Sequence, residues 1–336
     1  MRLYALALLC FGIGTAALGA VSDAIKSSFE RPLTIPFPPN APYSLEKATL
    51  GKMLFFDPRL SGAQNMSCAS CHNPSFRWET PVDLAVGAAN TPLGRHAPTM
   101  INSAWIEPLF WDGRAQTLEE QAAGPITAAV EMNATFDQVL TRLNQVEEYV
   151  SAFNRIFPND GLTQETILDA IATFERTVVS GWSPFDRWID GDENAISEQA
   201  KRGFDVFTGR GECASCHIGW NMTDNAFHDI GLVTDDVGRG ALEPDNPMMQ
   251  FAYKTPGLRN IALRAPYMHA GQLDTLEEVV LHYAGGGAPR PSLSPQMSSL
   301  ELSDQDVQDV IVFLNTLTEE QTDVLTPILP ANCVHK

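Results

Sequence analysis

Cys68-Ala-Ser-Cys-His72 recurs letter for letter at Cys213–His217. Two thiols separated by two residues can each add to a vinyl group of one porphyrin, and the imidazole that follows then sits under the iron. A redox disulfide does not require the His, and a zinc pair leaves both histidines unexplained. The duplication therefore implies two covalently bound haem c groups. One is held by Cys68, Cys71 and His72, the other by Cys213, Cys216 and His217, with His72 and His217 as the iron ligands.

A chain of 336 residues is long enough for two domains, which agrees with one haem site in each half. A helical segment precedes each motif, Ser44–Phe56 and Ser197–Thr208, and Gly51-Lys-Met-Leu-Phe55 resembles Gly203-Phe-Asp-Val-Phe207 as one element used twice. Between the motifs, Thr135 with Gln138 caps one helix, Tyr149 to Phe157 repeats at helical spacing, and Thr163 precedes Ile167, Ile171, Phe174 and Val178. Gly181–Asp192, rich in Trp, Pro, Gly and Asp, reads as the junction between domains. Residues 220–274 read as loops, followed by a capped helix Leu276–Ala284 and another after Ser303. The expected fold is all-α, two cytochrome c-like haem domains with long loops, spanning 21–182 and 183–336.

Arg2, the apolar run Leu3–Leu18 and the small residues after it predict a signal peptide over 1–20, too short to span a bilayer. Cys10 would leave with it. Covalent haem attachment takes place outside the cytoplasm, so the expected compartment is a bacterial periplasm. Cys333 is then an odd thiol, either free or in an intermolecular bond. A net charge of −19 argues against nucleic acid and anionic membrane surfaces as partners.

Beyond the haem motifs, Leu109-Phe-Trp-Asp-Gly-Arg-Ala115, Leu118-Glu-Glu-Gln121, Val130-Glu-Met132, Leu258-Arg-Asn-Ile-Ala262 and Pro266-Tyr-Met-His269 resemble the dihaem cytochrome c peroxidases, from about Leu45 to Thr318. The resemblance implies that Glu131 is the distal carboxylate at the first haem, with Gln121 and Pro125 beside it, and that Trp111 stands between the haems. It implies an open first iron, because the loop Asn73–Gly94 lacks the His that caps it in the peroxidases. At the second iron the peroxidases place a Met and the MauG-like branch a Tyr; the matching residue is Tyr283, with His282 as a rival. A phenolate favours ferric and more oxidised states, whereas Met raises the potential.

Three departures qualify this likeness. His96 stands where the family has an Asn that joins carbonyls matching Arg264 and Pro266 at a calcium site, which leaves calcium open. Gly211 replaces the Trp that carries holes outward in the MauG-like branch, so Trp220 or a direct approach to the haem edge is the expected exit. The loops between the second motif and Lys254 match poorly. The function implied is a periplasmic enzyme that uses hydrogen peroxide to oxidise a Trp or Tyr of a partner protein docked near haem 2. The alternative is a peroxidase that reduces peroxide to water with electrons from a small cytochrome or copper protein. A carrier without catalysis would gain from two tight axial ligands at both irons, which an open first iron contradicts.

Overall fold

The computed structural model describes residues 24–320 and 324–331; the expected signal peptide, Cys10 and Cys333 lie outside them. The chain is mostly helical: α1 (Leu45–Phe55), α2 (Cys68–Cys71), α3 (Leu118–Thr127), α4 (Phe136–Leu143), α5 (Glu147–Ile156), α6 (Gln164–Arg176), α7 (Pro184–Ile189), α8 (Glu198–Thr208), α9 (Leu276–Ala284) and α10 (Asp304–Asn315). The all-α expectation is amended by one antiparallel pair of two-residue strands, β1 (Phe227–His228) and β2 (Tyr253–Lys254). Helices start at the expected places, and Ser44, Thr135, Thr163, Ser197, Thr275 and Ser303 each accept a first-turn N–H, satisfying a donor that the helix leaves free.

Two helix crossings form the floors of the two halves, α1 on α6 and α8 on α10. A Cβ at Gly51 would lie 1.8 Å from the Ala170 carbonyl oxygen and 2.9 Å from Phe174 Cβ; at Gly203 the distances are 1.9 Å to Asp309 O and 2.8 Å to Phe313 Cβ. Only glycine permits such backbone contact. One turn further on, Phe55 meets Phe174 edge-on at 5.3 Å, and Phe207 meets Phe313 at 5.1 Å. The repeated element expected from sequence is thus one crossing built twice, each ending just before a haem motif.

The duplication continues through the loops at a constant offset. Asn102 and Asn260 both adopt left-handed backbone, the Glu107–Pro108 and Ala265–Pro266 bonds are both cis, and Phe110 and Met268, then Gly113 and Gly271, have positive φ. Bridges Leu109–Ala115 and Tyr267–Leu273 close the two turns, and Thr117 and Thr275 cap α3 and α9.

Gly181–Asp192 is more than a linker. Ser183 and Pro184 start α7, which buries Phe185 and Trp188 in the second core; a composition rich in Trp, Pro and Gly hid a short capped helix. Phe29 packs against Phe185 and Phe204, while Val324 packs on the first core and Pro330 O accepts from Arg59. The described segments around Phe29 and around Val324–Pro330 therefore each pack on the half that lies farther away in sequence. Arg77–Glu319, Arg95–Asp236 and Asn102–Asn221 bonds tie the halves together.

Gly203→Ala is expected to lower stability by roughly 2 kcal/mol or more, because the crossing must open. Gly94→Ala, with nothing within 4 Å of the added methyl, is expected to cost little. Thermal unfolding followed by circular dichroism separates the two.

Candidate active site

His72 lines a cavity of about 440 Å³ and, with Cys68 and Cys71, an adjoining one of about 80 Å³; Gln121, Pro125 and Glu131 line both. Cys213, Cys216 and His217 face a second cavity of about 170 Å³ that includes Tyr283. None of the four cysteines is in a disulfide, which leaves each sulfur for a haem vinyl group. His72 Nδ1 lies 3.3 Å from Trp78 O and His217 Nδ1 lies 3.0 Å from Met222 O, which leaves each Nε2 for a metal. Burial lowers the basicity of both rings and favours the neutral, ligating form.

These residues fit two haems. Lys254, half-buried on the wall of both cavities, has no ion pair among the described residues, and desolvation pulls its ammonium down to about 7. Arg259 Nη2 is buried with no partner on the wall of the first cavity. Arg259 pairs with Asp186 through Nη1 at 2.8 Å, so its Nη2 and the Lys254 ammonium are the cationic groups left open; enclosing them without partners is costly, and the carboxylates of a porphyrin would satisfy them. Lys254, a lone cation in a loop, carries no local signal, and Arg259 stands within the Leu258–Ala262 match without a role assigned from sequence.

The constant offset relates Pro125 on α3 to Tyr283 on α9, and each lines its own cavity. Pro125 offers no ligand atom. Gln121, one turn earlier, corresponds to Val279, so the first wall is polar where the second is apolar. Three tyrosines line the second cavity. Tyr253 and Tyr267 donate to the Asp236 and Ile261 carbonyls, whereas the Tyr283 hydroxyl makes no hydrogen bond to a described residue. Burial raises its pKa above the usual phenol range. His282 is turned away: its Nε2 lies 2.9 Å from Ile230 O, and it is absent from the cavity wall. Met268 and Met297 also reach that wall.

Glu131 sits in the turn after α3. Met132 N–H donates to Pro125 O at 3.0 Å, and Ala88 N–H donates to Glu131 O at 2.8 Å. Gly87 fits against this turn, where a Cβ would lie 2.0 Å from Val130 O. Desolvation raises the Glu131 pKa, partly offset by Arg114, a direction that suits a group that must both take and give a proton.

Trp111 lines both cavities, and its Nε1 donates to His96 O at 2.9 Å. Of the residues named for calcium, His96 and Arg264 meet at Glu79, and their side chains do not fit that ion. His96 Nε2 lies 2.8 Å from Glu79 Oε1, its Nδ1 faces the Val82 and Asp83 carbonyls at 3.1 and 3.0 Å, and Arg264 Nε donates to Glu79 Oε2 at 2.5 Å. A ring already spent on both nitrogens and a buried guanidinium leave a poor place for a divalent cation. No chemical step is drawn through calcium; the cluster instead fixes the carbonyl that holds Trp111.

Trp220 stacks edge-on against Trp105 at 4.8 Å, with Arg31 and Arg259 at 5.1 and 5.7 Å. It lines neither cavity.

Because the two cysteine pairs serve separate cavities, replacing Cys213 and Cys216 with Ala is expected to leave a protein with one haem by intact mass, against two in the unaltered chain.

The sequence signature of the di-haem cytochrome c peroxidases matches residues 45–194, and that of cytochrome c matches residues 200–318. The chain is 46% identical to the methylamine utilization protein MauG of Methylorubrum extorquens over 96% of this chain and 93% of that one. It is 35% identical to the cytochrome c551 peroxidase of Pseudomonas aeruginosa, over 97% and 94%. Among solved structures, a MauG-like protein associated with microbial copper homeostasis superposes with a TM-score of 0.79 at 31% identity, covering 87% of this chain and 95% of that one. With two cytochrome c-like halves, two haem c sites and likeness along nearly its whole length, the chain belongs to the di-haem cytochrome c peroxidase family.

Proposed function

We propose that this protein is an exported, periplasmic oxidase of the MauG-like kind, which uses hydrogen peroxide to remove electrons from a Trp or Tyr side chain of a partner protein. The observation that carries the reading is Tyr283. Its hydroxyl is the one phenol of the second cavity left without a described partner, at the backbone position where the first half has Pro125. The likeness to MauG at 46% identity supports it. When bound, the haems supply an iron for peroxide at the first cavity and a store for two oxidising equivalents shared with the second.

The chain's own residues divide the remaining work. Pro125 keeps the first cavity free of a competing ligand atom from α3. Glu131 takes a proton from the near oxygen of peroxide and returns it to the far one, so that water leaves. Gln121, one helical turn from Pro125, orients the peroxide by hydrogen bonding. Trp111, anchored by His96 O, gives electrons a stepping stone between the cavities.

For the exit, the surroundings of Trp220 favour the haem edge over the indole. Arg31 and Arg259 share the single Asp186 carboxylate, which leaves net positive charge beside Trp220 and disfavours a positive hole there. Glu212 and Ser215 line the second cavity and are exposed, so a partner can reach that edge. The second reading, a peroxidase fed by a small cytochrome or copper protein, rests on the likeness to cytochrome c551 peroxidase.

Tyr283→Phe is expected to change the low-spin electron paramagnetic resonance signal of haem 2; an unchanged signal assigns ligation to Met268 or Met297 and favours the peroxidase reading. Glu131→Gln is expected to slow the reaction with peroxide by ~100-fold or more, measured by stopped-flow absorbance. Trp220→Phe is expected to leave oxidation of the partner within about two-fold of the unaltered rate, a size at which no step of the route has been lost.

A further inference from the structure

Glu175 is a buried acid that the reading above does not use. It lies in the last turn of α6, 6% exposed, and lines the first cavity and the one adjoining it together with Gln121, Pro125 and Glu131. Its Oε2 is buried with no hydrogen-bond partner. The neighbouring Arg176 is engaged elsewhere, in a two-pronged pair with Glu119 on α3. A carboxylate enclosed without a cation is strongly disfavoured, and burial pushes the group up to about 8.

The duplication shows that the fold does not need an acid here. The crossings pair Ala170 with Asp309 and Phe174 with Phe313, so the twin of Glu175 is Leu314, a core residue that lines the second cavity. The acid stands only on the side where peroxide reacts.

We propose that Glu175 is a proton-holding carboxylic acid of the first cavity, a positioning residue that resupplies Glu131. Reduction of one peroxide consumes two electrons and two protons and yields two waters. In the reading above, which this inference rests on, the electrons come from the partner side chain. The proton that Glu131 shuttles between the two peroxide oxygens is not consumed when the first water leaves. Forming the second water takes up two protons; Glu175 gives one, which Glu131 relays through the cavity that both line, and solvent supplies the other. Solvent then returns a proton to Glu175, and Glu131 ends as the carboxylate it began as.

The test uses the haem-loaded protein with Glu175→Gln and Glu175→Leu, the second variant being the residue that the twin position already accepts. Infrared spectra in water and heavy water at neutral pH are expected to show a deuterium-sensitive band of a protonated carboxyl group that both variants lack. In stopped-flow experiments the reaction with peroxide is expected to keep its rate. The return to the resting state with a chemical reductant is expected to slow by at least ~10-fold with a changed solvent isotope effect, as for a lost proton donor. Glu175→Asp is expected to restore part of that rate. A band unchanged in both variants, or a return step unaltered in rate and isotope effect, overturns the proposal. Because the band and the reductant-driven step need no partner protein, either result stands apart from whether the natural electron source is a side chain or a small redox protein.

Discussion

Backbone against backbone at two glycines is the contact on which this molecule depends. Where Gly51 meets Ala170 and Gly203 meets Asp309, the helices approach too closely for any side chain. That closeness brings Phe55 onto Phe174 and Phe207 onto Phe313, and these aromatic pairs lie in the two buried cores. Each motif begins a short loop beyond its crossing, so the cysteines and histidine of each half inherit their position from it. The cost of a glycine inside a helix, about 1 kcal/mol relative to alanine, is offset by the packing that the contact permits.

One frame used twice then carries two different sets of side chains. Pro125 and Tyr283, Gln121 and Val279, Trp111 and His269, and Glu175 and Leu314 are twins in backbone position and opposites in chemistry. The first half gathers acids and an amide around a cavity with no ligand from α3. The second presents a phenol within an apolar wall. Function in this family member resides in the difference between the halves, because their common part serves only to hold a haem. The ion cluster of Glu79, His96 and Arg264 joins them, and through His96 O it sets the indole that borders both cavities.

Much of this was legible in the sequence because the signals were local. The haem motifs are contiguous, the capping pairs Thr135–Gln138 and Thr275–Glu278 lie three residues apart, and Gly51 and Gly203 sit in matching five-residue strings. What escaped depended on distance along the chain. The short helix α7 lay in a stretch whose Pro and Gly content reads as a break, although Ser183 and Pro184 are ordinary start signals. The engagement of His96 by Glu79 and two carbonyls, the isolation of Glu175 and the cationic surroundings of Trp220 all arise from residues far apart in sequence. Spacing alone gave no hint that Phe29 completes the second core.

In the proposed function the two cavities act as one store of oxidising power that starts from the fully oxidised protein. Adding one equivalent of hydrogen peroxide to the diferric protein, and following both haem signals by rapid-freeze electron paramagnetic resonance, tests it most directly. The high-spin and low-spin ferric signals are expected to fall together within one reaction and to stay low until a reductant or partner is supplied. A diferric protein that leaves peroxide untouched until one electron has been added would contradict it.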